Sequence, residues 1–342
     1  MSRQPSRRTV IAGSAALGAL ATPLAAAQSA VPPALQPAVD YAKGQKTTGL
    51  LIVQDRKTLV EMNWPAPAGD TRFANFVYGA APDGELLEDV ASQQKSFVSM
   101  LVAVGVDKGL IDVSRTVTDY IGPGWSRAAP DQEAMIRLID VLHMASGLRE
   151  NFTYQAPPGA LFFYNTAVYA ITKRVVAAAA KQPLETVTHD WLTAPAGMSN
   201  TAWRRRPAAF ADVGNPTGLV TCPRDVARFG QIVLDKGLSA SGRRIVSEAA
   251  MKAMFERSPT NPSYGRLWWL NGGAYTVRPP EQRIDGPLIP AAPADLVAAL
   301  GALGRKLYIS PSKKLIVVRM GAAPLDAGFD QQLWLRLKDA IA

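Results

Sequence analysis

Ser92-Gln93-Gln94-Lys95 leads through Ser96 into an apolar run from Phe97 to Val106. Phe97, Met100, Leu101 and Val104 recur at the i, i+3, i+4, i+7 spacing of a buried helical stripe. Ser92 therefore stands at the head of a core helix, with Lys95 one turn on and on the same face. A serine is a poor nucleophile until a neighbouring base takes its proton, and an amine at this spacing can do so. The helix start adds free backbone N–H groups and the positive end of a dipole, both of which favour developing negative charge. Ser-x-x-Lys is short enough to arise by chance at a solvated helix start. Its surroundings in the chain decide its meaning.

Towards the N-terminus, residues 37–42 read as a short helix opened by proline, and 49–53 and 58–62 as a strand pair around the polar turn 54–57. Helices are expected at 92–108, 136–144, 165–181 and 223–234, the second closed by Ser146-Gly147 and the last opened by Pro223. The tail returns to strands at 264–270, 274–277, 306–310 and 315–320. Pro311-Ser312-Lys313-Lys314 turns between the last two, and a final helix spans 330–341. Strands at both ends with helices between predict an α+β fold. The chain ends share one antiparallel sheet flanked by helices, and the middle forms a mostly helical lobe. Ser92 falls where the chain crosses between the lobes, and such a junction is a natural ligand site.

The first 27 residues carry Arg7-Arg8, a weakly apolar Ala- and Gly-rich middle broken by Pro23, and the exit Ala25-Ala26-Ala27. They read as a twin-arginine signal peptide cleaved before Gln28, placing the protein in the periplasm or outside the cell with no stable membrane anchor. Residues 28–342 then form one domain: 28–91 and about 260–342 build the sheet lobe, and about 92–259 the helical lobe. The single Cys222 excludes an internal disulfide. The net charge of +9 is scattered, and its one dense cluster, Arg204-Arg205-Arg206, reads as a solvated turn, so no nucleic-acid partner is expected. Two histidines and one cysteine cannot make a zinc cluster, and no Gly-x-Ser-x-Gly elbow is present, so neither a metal nor an α/β-hydrolase site is expected. His143, in the apolar Leu142-His143-Met144, reads as structural, and His189 lies near a helix end.

Acyl transfer by Ser92 needs a proton relay and an oxyanion hole. The stretch Phe163-Tyr164-Asn165-Thr166 offers the relay, since a tyrosine beside a lysine ammonium can have its pKa lowered toward use as a base. Asn165 and Thr166 add side chains able to hold substrate or water. Gly301 to Gly304, ahead of a strand, offers the hole: a sheet edge without bulky side chains brings a backbone N–H to the acyl oxygen, matched by that of Ser92.

Together these elements resemble the serine β-lactamase and penicillin-binding superfamily, in its class C-related branch with family VIII esterases, D-amino-acid peptidases and aminohexanoate-dimer hydrolases. Val90 to Phe97 resembles the nucleophile motif. Ile139 to Leu148, Asp225 to Gly230, Tyr264 to Trp269 and Leu315 to Arg319 are similar to further family segments in the same order. The resemblance implies a β-lactamase/transpeptidase-like fold without a cofactor. It makes Ser92 the nucleophile, has Lys95 and Tyr164 share the general-base and general-acid duties without fixing which takes the first proton, and makes the N–H groups of Ser92 and Ala302 the oxyanion hole. Asn165, Thr166, Gly301 and Trp269 are implied to touch substrate, with Trp268 a further candidate for the pocket wall.

Two departures stand out. Tyr164 is followed by Asn165-Thr166 where the family has Tyr-x-Asn, and the third motif, Lys-Thr-Gly in β-lactamases, is here Ala299-Leu300-Gly301. Losing that lysine removes a charge-assisted contact worth about 1.5–3 kcal/mol to a substrate carboxylate. Arg305 or Lys306 could replace it, though on a strand one of them must point away. The expectation is therefore an exported hydrolase of a small ester or amide. A β-lactamase or D-alanyl-D-alanine peptidase, and an envelope-binding protein without turnover, stand as alternatives. Oligomeric state is not legible.

Overall fold

The computed structural model describes residues 30–208 and 214–341; the expected signal segment lies outside the described residues. Its strands are β1 (Thr47–Gln54), β2 (Lys57–Asn63), β3 (Val77–Ala80), β4 (Leu86–Asp89), β5 (Ala202–Arg205) and β6 (Thr217–Thr221). They continue with β7 (Trp269–Leu270), β8 (Tyr275–Arg278), β9 (Gln282–Asp285), β10 (Val297–Gly301), β11 (Arg305–Ser310) and β12 (Leu315–Gly321). The longer helices are α1 (Gln36–Gly44), α2 (Gln94–Asp107), α3 (Ile171–Ala180), α4 (Pro223–Leu234), α5 (Glu248–Met254) and α6 (Phe329–Leu337).

β1 and β12 are apolar runs buried on both faces, as central strands must be. They pair antiparallel, with Leu51 opposite Val318 and Ile52 opposite Val317, so strands from the two ends of the chain lie side by side. The whole sheet has the order β2-β1-β12-β11-β10-β7. Asp55 and Arg56, both at positive φ (47° and 64°), make the tight β1–β2 turn. Successive side chains of β11 serve opposite faces: Tyr308 meets Trp334 of α6, while Leu307 backs Gly230 of α4. Helices thus cover both sides, and the expected α+β class, an antiparallel sheet built from both chain ends and flanked by helices, is the observed fold.

α2 runs between the sheet and the helical part. Its residues from Gln94 to Gly105 are all buried, and Phe97 stacks on Phe229 of α4 with ring centroids 3.9 Å apart. A helix apolar all round belongs inside a core, which is what the Phe97–Val106 run encodes.

The structure differs from the sequence reading at several places. The helix expected over 165–181 is two pieces, because Asn165 caps a short turn at Thr166–Tyr169 before α3 begins. That expected over 136–144 narrows to Leu138–Leu142, as Met144 takes a positive φ of 56°. Of 264–270 only β7 is extended, while β9 and β10 form unannounced. A second sheet, β3-β4-β6-β5, has no counterpart in that reading. Its strands are short, and pairings such as Glu88 with Thr221 join distant segments, so no local pattern encodes them.

Candidate active site

β4 ends at Asp89, and Ala91–Gln93 form a single tight turn that carries Ser92 into α2. Ala91 sits at φ 50°, a left-handed conformation costly for a residue with a Cβ. Asp89 holds it there: one carboxylate oxygen accepts the Ala91 N–H at 2.8 Å, and both oxygens accept from the Arg206 guanidinium at 2.7 and 3.0 Å. Gly218 on β6 makes room, since any Cβ there would collide with the Asp89 carboxylate. Arg206 is thus buried and paired, not solvated as expected of the Arg204–Arg206 cluster.

The Lys95 Nζ donates to Ser92 Oγ at 2.9 Å and to Thr166 Oγ1 at 3.2 Å. It lies 4.8 Å from the Tyr164 ring centroid and 4.7 Å from that of Tyr169. No carboxylate pairs with it among the described residues. Burial, helped by the positive charge of Arg206, brings its pKa down to about 7. An amine in that condition is in its neutral form for about half of the molecules at pH 7, and that form can accept the Ser92 proton.

Tyr164 is hydrogen-bonded to Ser92 and to Trp269, and its ring stacks on the Trp269 indole at 5.7 Å. Burial drives its pKa up to about 12. This corrects the expectation of a phenol made acidic by a lysine ammonium: the amine is itself depressed, and desolvation penalises the phenolate. Tyr164 keeps its proton and is equipped to donate.

The edge of the sheet meets this turn directly. A Cβ on Gly301 would run into the Val90 carbonyl oxygen and approach the Gln93 nitrogen to 3.3 Å, so only glycine lets β10 lie against the serine turn. Ala302 follows, then Leu303 at φ 59°. Arg319, wholly buried, fixes this bend. It donates to the carbonyls of Leu303 (2.8 Å), Gly304 (3.0 Å), Gln45 (2.7 Å) and Ala322 (2.7 Å), and to Thr47 Oγ1 at 3.0 Å. Neither basic residue proposed to replace the motif lysine is free. Arg305 is fully buried, 3.1 Å from Glu88 and donating to the Ala302 carbonyl, while Lys306 pairs with Asp330 at 2.8 Å. Ala299 itself is buried.

Ser92, Thr166 and Ala302 line one cavity of about 590 Å³, within the range of small-molecule sites. Arg72, Arg127, Glu150 and Phe152 form part of its walls. Three residues expected to touch substrate support the site instead. Asn165 spends both ends of its amide, accepting from the Val168 N–H at 3.0 Å and donating to the Leu148 carbonyl at 2.9 Å. Gly301 is a spacer and Trp269 braces Tyr164; neither is part of the cavity lining. Trp268 is core, stacked on Phe229. The sequence reading missed Asp89, Arg72, Arg127 and the Arg319 clamp. A signal existed for Asn165, since asparagine is a preferred helix cap. None existed for Arg206, whose partner lies in a distant segment.

His143 is half-buried with its pKa pushed down to about 4 by desolvation, and His189 is exposed beside Asp190; neither lines the cavity. Among the described residues no group of three His, Cys, Asp or Glu could hold a metal ion, and no helix is long and apolar enough to cross a membrane.

Comparison with known proteins agrees with this fold. The family model described as Beta-lactamase matches residues 38–340. A 6-aminohexanoate-dimer hydrolase of Paenarthrobacter ureafaciens is 22% identical over 299 residues, which cover 72% of this chain and 68% of that protein. Among solved structures, a family VIII carboxylesterase superposes with a TM-score of 0.64 at 14% identity, covering 92% of this chain and 99% of that one. A beta-lactamase from Mycobacterium bovis gives 0.62 at 15% identity, covering 89% and 97%.

Proposed function

The chain belongs to the beta-lactamase family, and from that premise we propose that it is a serine hydrolase cleaving a small ester or linear amide through an acyl-enzyme. The observation that carries the reading is the Lys95 amine, 2.9 Å from Ser92 Oγ and with a pKa near 7. Ser92 Oγ attacks the acyl carbon as its proton passes to Lys95. The bond to the leaving group breaks, and the alcohol or amine departs with a proton from Tyr164, which recovers one from Lys95. Water then attacks the acyl carbon, releases the acid and returns a proton to Ser92. The N–H groups of Ser92 and Ala302 serve the oxyanion in both halves.

Esters and linear amides are favoured over β-lactams because Ala299 stands where the motif lysine would be, and Arg305 and Lys306 are occupied. The names of the hydrolase and carboxylesterase relatives point the same way. The Arg7-Arg8 segment supports export by the twin-arginine route.

The test is to label the protein with a fluorophosphonate and follow p-nitrophenyl acetate beside nitrocefin. Wild type gains the label and turns over the acetate, and Ser92→Ala does neither. Equal labelling of both proteins rejects the assignment.

A further inference from the structure

Three arginines line the cavity that holds Ser92: Arg72, Arg127 and Arg206. Arg206 is neutralised by its two-pronged pair with Asp89. Among the described residues, Arg72 and Arg127 have no hydrogen-bonded or ionic partner for their side chains, although nine other described arginines have an acidic one. Among the described residues one acidic side chain, Glu150, shares the lining, so the described side chains there keep a net positive charge beside a lysine that is about half protonated at pH 7.

The backbone turn that carries Arg72 is also held in place. It belongs to the short helical turn Thr71–Ala74, capped by the Asp70 carboxylate accepting the Phe73 N–H at 2.9 Å. Its neighbour Phe73 is buried with Phe76 in a small cluster completed by Ala91, Leu303 and Ala322. Ala91 and Leu303 flank Ser92 and Ala302 in sequence. The anchor beside Arg72 therefore packs on the two turns that frame the reaction centre. Arg127 belongs to the same lining, and its backbone N–H donates to the Phe152 carbonyl at 3.0 Å. No cation reaches the cavity from the sheet edge, since Ala299 and the occupied Arg305 and Lys306 leave none there.

We infer that the substrate carries a carboxylate on the arm of the scissile ester or amide that lies against Arg72, with Arg127 adding to the field. The class is thus a half-ester or half-amide of a short dicarboxylic acid, or a compound of like shape. A guanidinium suits this group because its planar fork matches a carboxylate with two parallel hydrogen bonds. Arg72 is exposed and water competes, so the effect is about tenfold rather than a hundredfold. This inference rests on the acyl-transfer reading, which supplies the bond that is cut.

The experiment compares p-nitrophenyl hydrogen adipate with p-nitrophenyl methyl adipate, which differ only in the free carboxylate, each corrected for spontaneous hydrolysis. Wild type favours the acid by about tenfold in kcat/KM. Arg72→Gln erases most of that ratio, Arg72→Lys keeps part of it, and Arg72→Gln with Arg127→Gln brings it to one. Arg283→Gln on the exposed β9 strand, outside the cavity lining, leaves the ratio unchanged. A wild-type ratio near one, or a ratio that survives the double change, overturns the inference while leaving the hydrolase intact. Failure to cleave either ester rejects the hydrolase reading instead. Titration of adipate into Ser92→Ala then decides the carboxylate site alone: binding lost with Arg72→Gln upholds it, and no binding overturns it.

Discussion

Replacing Lys95 by methionine should abolish turnover and make the protein more stable at neutral pH. A free lysine holds its proton to 10.5, and burial in this site brings that value to about 7. Each unit of that displacement is about 1.36 kcal/mol, so the folded state bears a burden of about 4 kcal/mol at pH 7. The side chain recovers part of this through its bonds to Ser92 and Thr166, about 1 kcal/mol each. Methionine fills a similar volume and carries no charge to desolvate. The net gain for Lys95→Met is then about 2 kcal/mol at pH 7.

The sign of the pH dependence follows from the direction of the shift. Between pH 7 and 10.5 the unfolded chain holds a proton on Lys95 that the folded protein has shed, so wild-type stability rises with pH across that window. The advantage of the methionine variant must shrink over the same range. Urea unfolding of both proteins at pH 7 and pH 10 measures it. The companion kinetic expectation is a wild-type kcat/KM that falls about tenfold per unit below about pH 7, as Lys95 takes up its proton. A variant that is equally destabilised at both pH values would refute the argument, because the lysine would then contribute by packing and not as a desolvated amine.

Asp89→Ala leaves the Arg206 guanidinium buried without its counterion and removes the acceptor for the Ala91 N–H. A loss of about 3–5 kcal/mol in chemical denaturation is expected, and a loss within 1 kcal/mol would contradict it. Gly301→Ala pushes β10 away from Val90 and Gln93, costing about 1–3 kcal/mol. Because the displaced strand leads into Ala302, kcat for p-nitrophenyl acetate should fall more than KM changes. Unchanged kinetics in a stable variant would show that the oxyanion turn does not depend on this contact.

The parts of the fold carried by short-range periodicity were legible in the chain. The Phe97–Val106 stripe became α2, and the two apolar runs at 49–53 and 315–320 became adjacent central strands. The Ser92–Lys95 contact was legible for the same reason, since one helical turn fixes the spacing of its members. What escaped depends on partners far along the chain. Arg206 looked like surface because Asp89 lies in a different strand, and Arg319 looked like one more sheet residue because its carbonyl acceptors come from three separate segments. Trp269 was expected to touch substrate and instead stacks on Tyr164, because a stacking partner and a wall for substrate have the same signature in one dimension. The acidity of Tyr164 was misjudged because desolvation depends on what surrounds a group in space.

The clamp made by Arg319 ties the timing of activity to the order of synthesis. During translation β1 leaves the ribosome long before β12, and until that late strand arrives β1 is an open edge on its inner side. The guanidinium that locks the Leu303 bend rides on the same late strand. Until that strand docks, the bend beside Ser92 lacks its buried anchor, so the candidate site is completed by one of the last segments of the chain to be made.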